Sequence, residues 1–157
     1  MSTVMHNRTV TAEELRALVG KDLEPSPWLL LDQERISAFA EVTEDRQFIH
    51  VDAEKAKASP FGGTIAHGLL TLSMLPSLIE KTLPALEGMK ASVNYGYNKI
   101  RFLAPVRSGK RVQAKFVIAE FSETGPGRYQ IITNITVEIE GEDKPALIAE
   151  WISMVLV

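Results

Sequence analysis

Asp45 and His50, five residues apart in the run Glu44-Asp45-Arg46-Gln47-Phe48-Ile49-His50, are the side chains best equipped for chemistry. A carboxylate and an imidazole held together in a loop can share one water, one group taking its proton while the other handles a proton elsewhere on a substrate. That is the minimal equipment for adding water to a polarised double bond, or removing it. Together with His67 the pair also makes, on paper, a two-histidine and one-carboxylate set of the kind that ligates iron or another divalent ion. The plain alternative is a surface loop with a capping carboxylate, His67 serving to brace a helix start.

The remaining composition removes competing chemistries. The 157 residues include no cysteine, which excludes disulfides, thiolate metal sites and cysteine nucleophiles. There is no Gly-x-Ser-x-Gly elbow, no Gly-x-x-x-x-Gly-Lys-Ser/Thr loop and no Gly-x-Gly-x-x-Gly run, so serine hydrolase, nucleotidase and dinucleotide dehydrogenase readings lack support. Hydrophobic residues at 45% and charged residues at 24% are globular values, and a chain of this length buries a core without staples. One domain over 1–157 is expected, with 1–28 as an N-terminal extension carrying a short helix.

The net charge of −3 conceals an asymmetry. Between 88 and 119 stand Lys90, Lys99, Arg101, Arg107, Lys110, Arg111 and Lys115 with no acidic residue among them. An acidic protein with one basic stretch is a poor match for nucleic acid; it suits a small polyanion such as a phosphorylated cofactor tail, or equally a strand pair with solvated lysines outside. Residues 1–10 contain no apolar stretch of the signal-peptide kind, and the longest apolar segment, 65–79, is shorter than the roughly 20 residues a bilayer requires. A soluble, cytoplasmic protein without a membrane partner is the expectation, and the Asn-x-Thr triplets at Asn7 and Asn134 then go unused.

Helices are predicted in the first half. Thr11 and Glu14 have the form of a capping box opening a helix from Ala12 to Val19, closed by Gly20. Asp32 caps a second, about 33–42, with Ile36, Phe39, Ala40 and Val42 mostly on one face, and it delivers the chain into the Asp45 to His50 loop. Asp52 caps a third, 53–58, before the breaker run Ser59-Pro60-Phe61-Gly62-Gly63. The segment from Ala66 to about Thr82 is apolar around nearly its whole circumference, which predicts an enclosed helix, kinked or broken near Leu72 by Pro76. From Met89 onward the period changes to two. Tyr129, Ile131, Thr133, Ile135, Val137 and Ile139 share one face, Val112, Ala114, Phe116 and Ile118 alternate likewise, and with 89–103 and 145–156 they predict four long strands. The result is an α+β arrangement, an antiparallel sheet wrapped around a central, mostly apolar helix.

Three stretches resemble a known family. They are 36–52 (Ile-Ser-Ala-Phe-Ala-Glu-Val-Thr-Glu-Asp-Arg-Gln-Phe-Ile-His-Val-Asp), 61–69 (Phe-Gly-Gly-Thr-Ile-Ala-His-Gly-Leu) and 94–102 (Asn-Tyr-Gly-Tyr-Asn-Lys-Ile-Arg-Phe). They look like the MaoC-type dehydratases, which include (R)-specific enoyl-CoA hydratases, and most of all the nodulation protein N-like branch. The resemblance implies a hot-dog fold, usually dimeric, acting without metal or redox cofactor on acyl chains carried as thioesters of CoA or acyl carrier protein. It implies that Asp45 and His50 hold the water added across the α,β double bond, and that the backbone N–H of Gly68 meets the thioester carbonyl as charge builds there. Phe48 and Phe61 flank the implied site and are candidates for lining an acyl tunnel. His67 is given a supporting role there, and Asn98, Lys99 and Arg101 are candidates for a place near a phosphorylated ligand arm, which an outward strand face would explain equally well.

The hydratase pattern is Gly-Asp-x-Asn-Pro-hydrophobic-His, whereas this chain has Glu44, Gln47 and Phe48 at the glycine, asparagine and proline positions. Glycine takes a positive φ at no cost and glutamate does not, so a loop of different shape is expected. Thioester hydrolysis on the same fold, or acyl-CoA binding without catalysis, are the alternatives to hydration and dehydration.

Overall fold

The computed structural model describes residues 8–157, so His6 and Asn7 lie outside the described residues. In chain order the elements are β1 (Thr9–Val10), α1 (Ala12–Arg16), β2 (Leu29–Leu31), α2 (Gln33–Thr43), α3 (Phe48–Val51), α4 (Ala53–Lys57), α5 (Gly68–Ser73) and α6 (Leu75–Ile79). They continue with β3 (Ala85–Leu86), β4 (Ala91–Phe102), β5 (Lys110–Gly125), β6 (Arg128–Ile139) and β7 (Leu147–Leu156). β2, β5, β6, β7 and β4, in that spatial order, form one antiparallel sheet, while β1 and β3 pair in parallel. The four long strands are those that the alternation predicts, trimmed by two residues at the start of β4 and β7. Period-two alternation places Val112, Ala114, Phe116, Ile131, Thr133, Ile135, Val137 and Ile139 inward, all buried.

The helical pair α5 and α6 is packed on that inner face. Leu70, Leu75 and Leu78 share one cluster with Phe116, Ile135, Val137, Ala149 and Trp151. This is the hot-dog arrangement, with two corrections to the single enclosed helix expected over 66–82. The helix begins at Gly68, and it is broken at Met74, two residues after the expected place; Pro76 then falls in the first turn of α6, where its missing N–H costs nothing. Its N-terminal end is also open on one side, since Leu69 is 59% exposed.

Smaller differences have local causes. The capping box is present, with the Glu14 amide donating to Thr11 Oγ1 and the Thr11 amide to Glu14 Oε2, but α1 ends at Arg16 and gives way to turns leading to Gly20 at φ 79°. Leu15, Ile118, Phe121, Ile131 and Val155 then form a second cluster, which packs the N-terminal extension against the sheet. In α2, Ile36 and Ala40 are buried while Val42 is 80% exposed, because the helix meets the core along a narrower stripe than its apolar residues offer. No described helix is long and apolar enough to cross a membrane.

β4 is an edge strand of 12 residues carrying exposed Val93, Tyr95 and Phe102. Its pairing with β7 shifts register between Asn94 and Gly96 and again between Tyr97 and Lys99. Such irregularities re-aim side chains along a strand.

Candidate functional site

His50 does not sit in a loop, as the spacing suggested, but in the single-turn helix α3 between the cap of α2 and the start of α4. The turn is anchored at both ends. Gln33, at the start of α2, donates through Nε2 to the His50 carbonyl at 2.7 Å and accepts through Oε1 from the Thr64 hydroxyl at 2.6 Å. The Ile65 amide donates to the Ile49 carbonyl at 2.9 Å. The His50 ring is 6% exposed, with Nδ1 2.7 Å from the Ile65 carbonyl oxygen. A carbonyl only accepts, so Nδ1 carries the hydrogen and Nε2 of the neutral ring is left as an acceptor. Burial pushes the His50 pKa below its ordinary value; the bond to Ile65 opposes this, nearby His67 lowers it further and Asp45 raises it.

Glu44 is the described residue whose backbone decides the approach of Asp45. It caps α2 at φ 62° and ψ 11°, the one non-glycine residue with positive φ among those described. The glutamate therefore adopts the left-handed conformation that was expected to be too costly, and the backbone turn is made at the glycine position of the hydratase pattern. Arg46 braces the turn with a fork to Glu41, Nε and Nη2 donating at 2.9 and 3.0 Å. That pairing raises the Arg46 pKa and lowers that of Glu41. Asp45 itself is exposed, and Glu44 points to solvent beside it.

His67, 3% exposed, joins the two halves of the site. Its ring stacks on His50 with centroids 3.7 Å apart and packs against Phe39 at 4.9 Å. Its Nε2 lies 2.9 Å from the main-chain carbonyl of Asp45 and so donates to it, while its buried Nδ1 has no partner. One candidate ligand atom from each of Asp45, His50 and His67 lies within 4.8 Å of the others. Ligands around one tetrahedral ion at about 2.1 Å stand only about 3.4 Å apart. Two groups bonded to one water at about 2.8 Å stand about 4.6 Å apart. A separation of up to 4.8 Å leaves room for one water to be shared between two of these groups.

Beside His50 lies a cavity of about 380 Å³, lined among others by Phe61, Gly68, Leu69, Phe102 and Val106. Phe61 and Gly68 line this cavity, whereas Phe48 does not and is 42% exposed. Gly68 opens α5 with His67 at the N-cap position offering no side-chain cap, so the first amides of the helix receive no capping side chain. The glycine is needed there for close approach. A Cβ would lie 2.8 and 2.9 Å from two carbons of the Phe102 ring.

The structure separates Asn98, Lys99 and Arg101 from this cavity. β4 and β7 pair Ile100 with Ala149 and Phe102 with Leu147 on the inner face, which puts Lys99 and Arg101 opposite Glu150 and Ile148 on the outer one. Lys99 lines a separate outer depression, and Asn98 donates through Nδ2 to Glu150 at 2.7 Å. Sequence reasoning also missed Gln33, Thr64 and Phe102. Gln33 carried a weak signal, a residue with both a donor and an acceptor directly after the Asp32 cap; Thr64 and Phe102 lie within the family-like stretches 61–69 and 94–102 but carried no further signal of their own.

Gly68→Ala is expected to lower stability by about 1–3 kcal/mol, because the new methyl must displace a ring whose inner carbons it meets. Thermal or denaturant unfolding checks this, and Phe102→Leu in the same chain is expected to recover most of the loss. An undiminished Gly68→Ala protein would contradict the packing described.

A MaoC like domain model matches residues 14–139. Nodulation protein N of Rhizobium meliloti (strain 1021) is 42% identical over 146 residues, 92% of this chain and 91% of that protein. The 3-hydroxyacyl-thioester dehydratase Z of Mycobacterium tuberculosis (strain ATCC 25618 / H37Rv) is 45% identical over 139 residues, 88% of this chain and 91% of that one. Among solved structures, the (R)-hydratase from A. caviae involved in PHA biosynthesis superimposes with a TM-score of 0.67 at 25% identity, covering 86% of this chain and 94% of that one. With the family model spanning most of the chain, and relatives this similar along nearly their whole length, the chain belongs to the MaoC-like dehydratase family.

Proposed function

We propose that this protein is a hydro-lyase that interconverts a (R)-3-hydroxyacyl thioester and the trans-2-enoyl thioester, with no metal or redox cofactor. The observation that carries the reading is the grouping of Asp45, within 4.8 Å, with a buried His50 whose Nδ1 donates to the Ile65 carbonyl and which lines an apolar cavity. The 3-hydroxyacyl-thioester dehydratase among the relatives supports it.

In the hydration direction the bridging water is held between His50 Nε2 and the Asp45 carboxylate. Its oxygen bonds to C3, its proton passes to His50, and the C2–C3 π pair moves toward the thioester oxygen. The Gly68 amide, which borders the cavity, meets that oxygen as negative charge develops. The proton held by the pair then goes by way of Asp45 to C2 as the enolate collapses, and His50 is neutral again. Each water adds one hydroxyl and one hydrogen, so no other reactant is consumed. His67 holds the Asp45 main chain and the His50 ring in mutual register.

Loss of the conjugated-thioester absorbance of crotonyl-CoA and longer enoyl-CoAs tests the reading. Asp45→Asn and His50→Gln are each expected to lower kcat by about 10²–10⁴ with the fold retained. Two variants as active as the parent would remove this pair from the mechanism, and release of free thiol without hydration would make the protein a thioesterase instead.

The reaction needs His50 unprotonated. Because burial lowers its pKa, protonation on acidification sets in below the ordinary value, and the acid limb of kcat/KM is expected to have its midpoint below pH 6.5. A midpoint above 6.5, or an acid limb unchanged in His50→Gln, would contradict that assignment.

The unpaired edge of β4, with Val93 and Tyr95 exposed along it and Phe102 lining the cavity at its far end, supports a homodimer joined along this strand. Light scattering is expected to give twice the chain mass of 17.4 kDa, and Tyr95→Lys with Val93→Lys to shift it toward the monomer. A monomeric parent protein at micromolar concentration would reject this arrangement.

A further inference from the structure

The basic stretch between 88 and 119 is sorted by the fold. Lys110 faces Glu142, Arg111 pairs with Glu140 and Lys115 with Glu138, so these three belong to cross-strand ion pairs on the sheet. Lys99 and Arg101 stand on the face turned away from the His50 cavity. Lys90 precedes β4, at the opposite end of that strand from cavity-lining Phe102. Arg107 differs from all of them in position.

Its main chain bridges Ile65, the residue whose carbonyl fixes His50. Its guanidinium extends over Gly62, with Nη2 3.9 Å from the place a Cβ would occupy there. The residues next to both contact points are cavity walls: Phe61 and Ile65 on one side, Pro105 and Val106 on the other. Arg107 is exposed and forms no ion pair among the described residues. A forked cation without a carboxylate among the described residues therefore stands next to residues that line the His50 cavity.

We propose that Arg107 anchors the phosphate end of the carrier arm on which the thioester is presented, an assignment that rests on the thioester reading of the His50 cavity. Thioester carriers, whether a free coenzyme or a carrier protein, share a pantetheine arm with sulfur at one end and phosphate at the other. The sulfur end must enter beside His50, and the charged end, costly to desolvate, stays in water at the entrance. A guanidinium matches phosphate with two parallel N–H donors, a fit that a lysine lacks. Since the contact is made equally in the ground state and the transition state, it acts on binding and leaves the chemical step alone.

The test compares Arg107→Ala and Arg107→Glu with the parent on three enoyl thioesters: the CoA ester, the 4′-phosphopantetheine ester and the N-acetylcysteamine ester, which has no phosphate. For Arg107→Ala the expected result is a KM raised about tenfold for phosphate-bearing substrates, a larger rise for Arg107→Glu, unchanged kcat, and no change with N-acetylcysteamine. A loss shared by the CoA and phosphopantetheine esters places the contact at the arm phosphate, and a loss confined to CoA places it at the nucleotide phosphates; both support the proposal. Equal losses on all three esters, or none, overturn it while hydration by the parent protein still stands. If the parent turns over none of them, equilibrium binding of the same three esters decides: phosphate-dependent weakening in the variants upholds the anchor although the hydro-lyase reading fails, and absence of binding to the parent overturns both.

Discussion

The bond from His50 Nδ1 to the Ile65 carbonyl is the constraint on which the site depends. It does three things that the imidazole cannot do alone. It selects the tautomer, leaving Nε2 as the acceptor; it fixes the ring in a nearly dry place without leaving a buried donor unpaired; and it ties the α3 turn to the segment that leads into α5. The same segment then supplies His67 and Gly68, so a single strip of chain, 65–68, supports the base, stacks on it and borders the cavity. Gln33 completes the fastening by holding the His50 carbonyl and the Thr64 hydroxyl with one amide.

The electrostatics follow from this placement. Desolvation favours the uncharged imidazole, and His67 stacked on the ring acts in the same direction, whereas nearby Asp45 favours the charged form. These influences act in opposite directions on one ring, burial and His67 against the charged form and the Ile65 bond and Asp45 for it. Asp45 can stay exposed because the turn, and not burial, positions it: Glu44 accepts a left-handed backbone, Arg46 is locked to Glu41, and the Asp45 carbonyl is held by His67. The conformational cost at Glu44 is of the order of 1 kcal/mol, which these contacts can offset. The glutamate at the hydratase glycine position, which led to the expectation of a differently shaped loop, therefore leaves the turn in a glycine-like conformation.

The strands, their inward faces, the capping residues Thr11, Asp32 and Asp52, and the pairing of Asp45 with His50 were legible in the chain because each rests on local periodicity or on short spacing. Periodicity was less informative where apolar residues exceed what the core can cover. Val42, Leu69 and Phe48 all read as interior or lining and are exposed, since hydrophobicity records what a residue tolerates and only the neighbouring elements decide which side is sealed.

The sequence by itself determined most of the element types and offered a carboxylate and an imidazole as candidates for moving a proton, because side-chain chemistry and two- or four-residue repeats are properties of short segments; the family followed from the resemblance of three such segments to known members. Tertiary structure alone decided which of the cations stand near the His50 cavity. Seven look alike along the chain; cross-strand pairing gives three of them carboxylates, the pleat turns Lys99 and Arg101 outward, and a bridge between Ile65 and Arg107, more than forty residues apart in the sequence, brings one next to residues that line that cavity. Strand register and long-range pairing set those outcomes, and neither is encoded in any window short enough to read.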